Sequence, residues 1–364
     1  MKLDELDTPA LFVDIDIMMA DIREMHAHLK NHNIKCRPHI KTHKVPALAH
    51  IQIREGAEGI TCQKLGEAEV MVNAGIDDIF VAYNIIGKQK LERLSRLAKQ
   101  AKIAVVADSE FVAKNLSIAM KTANSSLKVF VECDIAKLRS GVRTPVQAAQ
   151  LAKKINDLPG IEYEGLMQFK GGYPDIEFVK QTGSFFEEAV DLLNKGGIET
   201  RTISSGGTVY AWTGWPKYSS HLKMVNECRP GAYIFYDRIK VAEGITSLEK
   251  CSSRILATVI SKPTSSRAIL DAGSKSFGVR RHYRGGEDLG SYGHIINCPD
   301  AVLSSLFEEH GIVDNCPSRI KIGDKLTIIP NYIMDNINIH DTLYGIRKDT
   351  VEVIWPISAR GRSQ

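Results

Sequence analysis

Eight short apolar segments alternate with helical segments between residues 34 and 228, and no other feature of the sequence limits the fold as strongly. The apolar segments are residues 34–40, 59–62, 79–82, 104–107, 129–132, 164–168, 202–205 and 224–228. Amphipathic helical spacing joins most of them, at residues 65–74, 90–101, 109–122, 145–158 and 178–195. Eight strand–helix units predict an α/β protein with a (β/α)8 TIM-type barrel. The same alternation allows an open doubly wound sheet, but the count of eight favours the barrel.

The sequence changes character after residue 244. Residues 255–260, 268–271, 325–329 and 351–355 are rich in β-branched side chains and predict strands. Residues 301–310 have helical spacing and predict a helix. We therefore expect the barrel at residues 17–244 and a smaller, β-rich C-terminal domain at residues 245–364.

The composition excludes several classes of partner. Charged residues make up 25% of the chain and the net charge is +4, so we expect no nucleic-acid partner. No apolar run is long enough to cross a bilayer, and residues 1–5 lack the apolar core of a secretory leader, so we expect no membrane association. The seven cysteines are odd in number and have no CxxC spacing, which favours reduced thiols and a cytoplasmic location.

A cluster of basic residues follows the first predicted strand. It reads Arg37-Pro38-His39-Ile40-Lys41-Thr42-His43-Lys44. Neighbouring cations disfavour an ammonium, so we expect the pKa of Lys41 to fall and its free amine to serve Schiff-base chemistry. Active-site residues of a barrel lie at the C-terminal ends of its strands, where Lys41 is predicted to be. A solvated basic loop is the alternative interpretation.

Two glycine-containing loops follow the seventh and eighth predicted strands. They read Ser204-Ser205-Gly206-Gly207-Thr208 and Arg229-Pro230-Gly231-Ala232-Tyr233. In barrels these two loops often bind a phosphate through backbone N–H groups, although Gly-Gly is also a common turn. Arg139, after the fifth predicted strand, offers a cation for a phenolate or carboxylate. A reactive lysine, a phosphate loop and this cation together fit pyridoxal 5′-phosphate.

Segments along nearly the whole chain carry a resemblance to one family. They are residues 8–10, 37–44, 62–69, 139–142, 165–167, 205–208, 229–233, 271–275, 308–311, 329–331, 355–356 and 359–361. The sequence resembles the D-threonine aldolase and D-serine dehydratase family, which shares its barrel type with alanine racemase. The resemblance implies a fold-type III pyridoxal-phosphate enzyme that acts on a small amino-acid substrate as a homodimer. It also implies that residues 1–16 join the β-rich domain.

The resemblance assigns roles to particular residues. Lys41 would form the Schiff base, Arg139 would lie near the cofactor ring, and the two glycine loops would bind the phosphate. The full set of predicted cofactor-binding residues is Lys41, His39, Gln63, Arg139, Ser205, Gly206, Gly207, Thr208, Gly231, Ala232 and Tyr233.

The segment after Pro330-Asn331 departs from the family pattern. The resemblance implies a divalent metal that grips a substrate β-hydroxyl, held by a histidine directly after this pair and a cysteine or aspartate two residues later. Here those positions are Tyr332 and Met334, whose phenol and thioether are poor ligands for zinc or manganese. Asp335 and His340 are nearby, but a shift of one residue along a strand turns the side chain to the other face. We therefore expect no divalent metal.

Tyr332 leaves more than one function open. We favour a pyridoxal-phosphate-dependent lyase, an aldolase or dehydratase acting on a D- or β-hydroxy-α-amino acid through carbanion chemistry at Cα, with Tyr332 as the acid or base. A metal-independent racemase or epimerase would use Lys41 and Tyr332 as opposed bases, the role that a tyrosine has in alanine racemases. Tyr332 could also merely fill the vacated ligand position, and a non-catalytic cofactor-binding protein is the remaining alternative.

Two further basic features are ambiguous. Lys170, beside Phe169, offers a cation for an acidic substrate side chain, although most lysines are simply solvated. Residues 280–284 include three arginines and could bind a carboxylate or phosphate, but we interpret them as a basic loop.

Overall fold

The computed structural model describes residues 1–282 and 286–364. The strands of these residues are β1 Ala10–Asp14, β2 Lys35–Cys36, β3 Ile60–Cys62, β4 Asp78–Asn84, β5 Lys102–Ala107, β6 Leu127–Cys133, β7 Ile161–Gln168, β8 Thr202–Ser205, β9 Glu227–Cys228, β10 Ser253–Thr264, β11 Arg267–Leu270, β12 Gly293–Ile295, β13 Val302–Leu306, β14 Gly311–Asp314, β15 Lys325–Pro330, β16 Thr342–Arg347 and β17 Thr350–Pro356. The α-helices are α1 Ile15–Asn31, α2 Pro46–Arg54, α3 Leu65–Asn73, α4 Lys88–Leu97, α5 Glu110–Ala123, α6 Pro145–Asp157, α7 Ile176–Lys195, α8 Thr208–Thr213, α9 Trp215–Tyr218, α10 Arg238–Ala242, α11 Ser274–Phe277 and α12 Ile333–Ile339.

Eight parallel strands form a closed sheet. Their order is β2-β9-β8-β7-β6-β5-β4-β3. The two ends of this order meet, because the Thr61 N–H donates to the Pro38 carbonyl at 2.8 Å and a parallel bridge pairs His39 with Thr61. The prediction of a (β/α)8 barrel is therefore confirmed, with β2 and β9 much shorter than the apolar segments that predicted them.

Aromatic and aliphatic side chains fill the inside of the barrel. Phe80, Val106, Phe130 and Met167 form one buried cluster, one residue from each of the strands β4 to β7. The rings of Phe80 and Phe130 lie 4.6 Å apart, centroid to centroid. This cluster packs side chains from four neighbouring strands against one another inside the barrel.

Three long helices of the barrel, α5, α6 and α7, begin at side-chain caps. The Ser109 and Thr144 hydroxyls accept the N–H groups of Val112 and Gln147 at the starts of α5 and α6. Asp175 does the same for α7, accepting from Phe178 at 2.7 Å. These side chains satisfy backbone donors that a helix start would otherwise leave open.

A second sheet is built mainly from the C-terminal part of the chain. Its central strands run in the order β13-β14-β11-β10-β1-β16-β17, and β15 pairs with both β10 and β12. Strand β1 is antiparallel to β10 and parallel to β16, so the N-terminal strand belongs to this sheet. The smaller β-rich part of the fold prediction is confirmed.

The predicted helix at residues 301–310 is wrong. Residues Val302–Leu306 form strand β13, which pairs antiparallel with β14. The register shifts between Leu303 and Ser305, so a bulge breaks the strict alternation of a strand. That irregularity places apolar residues at spacings that imitate a helix.

The chain divides into two compact units. One unit, which we call the barrel unit, comprises residues 25–41, 48–231 and 362–364. The other, the sheet unit, comprises residues 1–24, 42–47 and 232–361. Among the described residues, no helix has the length and apolar character that a bilayer crossing requires.

Candidate active site

Lys41 lies in a short 3-10 turn, Ile40–Thr42, that follows β2 in the barrel unit. Its Nζ is 5.8 Å from the centroid of the Phe169 ring, which comes directly after β7. The guanidinium carbon of Arg139 is 5.0 Å from the same centroid. The structure therefore brings two predicted site residues together around one aromatic ring.

His39 is buried beside Lys41, and its hydrogen bonds determine its tautomer. Gln63 donates its amide to the Ala82 carbonyl at 3.2 Å, so its Oε1 is the atom that faces His39 Nε2 at 3.0 Å. Nε2 must then carry the proton, and Nδ1 accepts the backbone N–H of Lys41 at 3.4 Å. Burial, followed by the charge of Lys41, holds the pKa of His39 well below its usual range. The imidazole is therefore neutral.

The first glycine loop has a conformation that only glycine accommodates easily. Gly206 has φ of +81°, and a Cβ there would lie 2.8 Å from the Tyr210 ring. A Cβ on Gly207 would lie 3.5 Å from Phe169, so this loop borders the same ring as Lys41 and Arg139. Gly207 of the first glycine loop and Lys41 thus border the same aromatic ring.

Hydroxyl groups tie this loop to its neighbours. The Ser205 hydroxyl donates to Gln168 Oε1 at 2.7 Å, and Thr208 Oγ1 accepts the Gly231 N–H at 3.1 Å. The second contact joins the two predicted glycine loops within the barrel unit. Five of the predicted residues, Ser205 to Thr208 and Gly231, accordingly form one continuous polar rim.

Arg229 is a site residue that sequence reasoning missed. Its side chain is 5% exposed; Nη2 donates to the Gln168 carbonyl at 2.9 Å and Nη1 to the Ser204 hydroxyl. The Ser204 hydroxyl in turn donates to Glu227 Oε1 at 2.6 Å. Burial lowers the pKa of Arg229, which the charge of Glu227 opposes. An arginine immediately after a barrel strand was the signal that could have identified it.

Three predicted residues lie in the sheet unit. Ala232 and Tyr233 are buried in the 3-10 turn Ala232–Ile234. Tyr332 is the N-cap residue of α12, and its hydroxyl donates to Met334 Sδ at 3.0 Å. The Arg280 guanidinium carbon lies 4.1 Å from the centroid of the Tyr332 ring. The phenol is therefore held between a thioether and a cation.

The segment after Asn331 is a helix start, which corrects the expectation of a strand. Because α12 begins at Ile333, the alternation of faces that we used against Asp335 does not apply. Asp335 instead accepts from Arg280 Nε at 3.3 Å, and His340 Nε2 lies 3.0 Å from the Ser276 carbonyl oxygen. Both candidate substitutes for a metal ligand thus have protein partners.

Comparison with known proteins identifies the chain. Residues 13–238 match the alanine racemase N-terminal domain, and residues 252–346 match the putative serine dehydratase domain. A D-threonine aldolase of an Arthrobacter species is 34% identical over 100% of this chain and 95% of its own length. The chain belongs to the D-threonine aldolase and D-serine dehydratase family. It is therefore an enzyme, a pyridoxal-phosphate-dependent lyase of this type, which confirms the resemblance.

Two further relatives support this assignment. A 3-hydroxy-D-aspartate aldolase of Paracoccus denitrificans (strain Pd 1222) is 31% identical over 100% of this chain and 94% of its own length. The crystal structure of a D-threonine aldolase from Filomicrobium marinum has a TM-score of 0.89 and 29% identity, covering 100% of this chain and 98% of the other. The likeness thus extends over both units of the family fold.

The barrel unit fits the cofactor on which this family depends. Two buried donors beside the first glycine loop, Gln168 Nε2 and the Tyr210 hydroxyl, have no hydrogen-bond partner in the described residues. Arg139 and Arg229 add two cations, and Lys41 adds an amine. Unsatisfied donors, cations and an amine suit a ligand that carries an anionic phosphate and an aldehyde.

A cluster of metal ligands is not evident in the part of the chain that the structure describes. Across residues 1–282 and 286–364, no group of three or more His, Cys, Asp or Glu side chains is arranged to hold a metal ion. Tyr332 and Met334 contact each other at the positions where the resemblance implied ligands.

Lys170 and the basic segment at residues 280–284, which the sequence left ambiguous, both have ion-pair partners among the described residues. Lys170 Nζ pairs with Asp175 at 2.8 Å and lies 4.0 Å from the Phe178 ring centroid, so its charge is already engaged within the protein. In the predicted loop at 280–284, Arg281 pairs with Asp288 at 2.7 Å. Residues 283 and 284 of that loop lie outside the described residues.

Proposed function

We propose that this enzyme cleaves or dehydrates D-β-hydroxy-α-amino acids with pyridoxal phosphate attached to Lys41, and that it needs no divalent metal. The observation that carries the proposal is the convergence of Lys41, Arg139 and Gly207 on Phe169. In addition, the whole chain is similar in sequence to a D-threonine aldolase and to a 3-hydroxy-D-aspartate aldolase. Both relatives are named for β-hydroxy-D-amino acids, which supports that substrate class.

Pyridoxal phosphate, when bound, supplies an aldehyde for the Lys41 amine and a ring that accepts electrons from the substrate Cα. Lys41 would attach the cofactor and carry a proton at its Nζ. His39 would keep the Lys41 backbone in place through Nδ1 without adding a competing charge, because its ring is neutral. Arg229, fixed by the Gln168 carbonyl and the Ser204 hydroxyl, would give the site a permanent cation.

Tyr332 would do the acid–base work on the substrate β-hydroxyl. A metal polarises such a hydroxyl as a Lewis acid, whereas a phenol has to donate or accept the proton itself. The support for this role is that a phenol and a thioether occupy the positions where the resemblance implied metal ligands. Removing only the hydroxyl, in Tyr332→Phe, should lower kcat about 100-fold or more.

The direct test is a panel of D- and L-threonine, serine and 3-hydroxyaspartate, incubated with and without a chelator in deuterium oxide. The proposal expects glycine plus an aldehyde, or a keto acid plus ammonia, from D-enantiomers alone and at the same rate with chelator. Loss of activity with chelator and its recovery with manganese or zinc would contradict metal independence.

One observation favours a second candidate, an amino-acid racemase or epimerase. A tyrosine at position 332 provides a second base in addition to Lys41, as the resemblance to alanine racemases implies. In the same experiment, deuterium at Cα with both enantiomers present and no cleavage product would establish this alternative.

A further inference from the structure

Two short segments of the sheet unit, residues 237–239 and 331–333, are joined by hydrogen bonds on either side of Tyr332. The Ile239 N–H donates to the Asn331 carbonyl at 3.2 Å, on the N-terminal side of Tyr332. The Ile333 N–H donates to Asp237 Oδ2 at 3.3 Å, on its C-terminal side. The backbone is therefore held on both sides of the residue whose phenol would act on the substrate.

Arg238 reinforces the first of these contacts. Its Nη1 donates to Asn331 Oδ1 at 2.8 Å and to the Ser291 carbonyl at 3.1 Å, and its Nη2 donates to the Leu289 carbonyl at 3.0 Å. A planar guanidinium with three acceptors has one orientation available. Asn331, directly before Tyr332, is consequently fixed by its side chain as well as by its backbone.

The side-chain amide of Asn331 also connects to Arg280, the residue that lies over the Tyr332 ring. Its Nδ2 donates to the Ser291 carbonyl at 2.7 Å and to the Arg280 carbonyl at 3.0 Å. The guanidinium of the same Arg280 lies over the Tyr332 ring. The ring and the backbone of Tyr332 are thus held by one connected set of hydrogen bonds.

Asp237 is the residue on which both helices of this arrangement depend. Its Oδ1 accepts the Lys240 N–H at 3.0 Å at the start of α10, and its Oδ2 accepts the Ile333 N–H at the start of α12. The side chain is fully buried, and burial raises its pKa to about 6 against the opposing charge of Lys240. A carboxylate serves two helix starts at once because both of its oxygens are acceptors.

We propose that Asp237 is a positioning residue for Tyr332, which it holds by capping α12 and α10 with its two carboxylate oxygens. This inference rests on the role that we propose for Tyr332 in the reaction. Asp237 would not contact the substrate. It would fix the position of the Tyr332 phenol by holding the start of α12.

The test compares Asp237→Asn with Asp175→Asn in the full-length, cofactor-loaded protein. An amide has one acceptor oxygen, so the Asp237→Asn variant would leave one helix start facing an NH2 donor. Asp175 caps α7 with Oδ1 and pairs through Oδ2 with Lys170, but its side chain is exposed, so an asparagine can keep the cap while water replaces the ion pair. Hydrogen exchange of peptides that cover residues 331–339, measured without substrate, reports the local stability of α12. Steady-state kinetics report the contribution of the Tyr332 phenol to turnover.

Asp237→Asn should raise the exchange rate at the start of α12 and lower kcat, each about tenfold or more, with KM and cofactor content unchanged. Asp175→Asn should change none of these. Unchanged exchange in Asp237→Asn, or unchanged kcat where Tyr332→Phe loses activity, would overturn the proposal. If Tyr332→Phe keeps the wild-type kcat, the role of Tyr332 fails, and the exchange rates still decide whether Asp237 holds α12.

Arg238→Lys provides a second variant in case Asp237→Asn does not fold. A lysine keeps the charge but cannot reach Asn331, Ser291 and Leu289 together. Faster exchange at residues 331–339 with lower kcat would support the dependence of the reaction on how Tyr332 is positioned, whereas faster exchange with the wild-type kcat would contradict it.

Discussion

His39 shows how a single side chain sets the surroundings of Lys41. Gln63 fixes its Nε2–H, and the lone pair on Nδ1 faces the Lys41 backbone. Protonation of His39 would place a second cation beside Lys41 and replace this acceptor with a donor. The low pKa that burial gives the imidazole prevents both changes at neutral pH.

The tautomer of His39 leads to a spectroscopic prediction. Nitrogen-15 NMR of histidine-labelled protein should show His39 protonated at Nε2 only, with no change between pH 8 and pH 6, because its pKa lies well below 6.5. The Gln63→Leu variant serves as the comparison, since it removes the acceptor at Nε2. A His39 signal that titrates near pH 6.5 in the wild type would contradict the assignment.

At this scale the sequence indicated some site residues and not others. The proximity of Lys41, Arg139 and Gly207 could be predicted because all three follow barrel strands, whose C-terminal ends meet at one edge; their roles in the reaction stay predictions. Arg229 and Phe169 were not predicted as site residues. Their roles depend on burial and on a ring that contacts several groups at once, and neither is visible in local spacing.

Among the elements, strands β7 and β8 leave no room for a side chain at Gly165. A Cβ on Gly165 would lie 1.8 Å from the Thr202 carbonyl oxygen, so no side chain fits without moving the backbone of one strand. Strand β7 leads to Phe169 and strand β8 leads to the first glycine loop. The spacing of these strands therefore determines how the loop meets the ring.

Gly165→Ala should consequently destabilise the protein by about 3 kcal/mol or more, because overpacking here displaces backbone rather than a side-chain tip. Urea unfolding followed by circular dichroism measures the loss. Gly196→Ala is the matched control: Gly196 has φ of −86°, and its added Cβ would contact only helix carbonyls at 3.3 Å or more. Equal stability of the two variants would contradict the close approach.

The errors at the level of elements have a shared physical cause. The spacing at residues 301–310 imitated a helix because β13 contains a bulge, and the segment after Asn331 was taken as a strand although α12 starts at Ile333. In both cases tertiary contacts decided the outcome: pairing with β14 in one, and the Asp237 cap in the other. The long barrel helices, with local caps and strong periodicity, were predicted well.

The stability of the whole molecule should depend on pH through Asp21, a buried residue of α1. Burial raises its pKa to about 8, which the nearby charge of Lys250 only partly offsets. Below about pH 4 the carboxyl is protonated in both the folded and the unfolded chain. Between about pH 4 and pH 8 only the folded protein keeps the proton, so stability falls as pH rises, by up to about 1.4 kcal/mol per pH unit.

Asp21→Asn should remove this dependence. The thermal midpoint of the wild type should decline relative to the variant as the pH is raised from 4 to 8, and calorimetry at a series of pH values measures the difference. A constant difference between the two proteins over this range would show that Asp21 titrates normally.

Lys41 is the residue to which we propose that the cofactor is attached. Borohydride reduction of the pyridoxal-phosphate-loaded protein, followed by peptide mass spectrometry, locates the attachment, because reduction makes it permanent. The structure predicts the added mass on Lys41 alone, in wild type and in Lys44→Arg, and none in Lys41→Ala. Modification of a different lysine, or no modification of the loaded wild type, would show that Lys41 does not carry the cofactor.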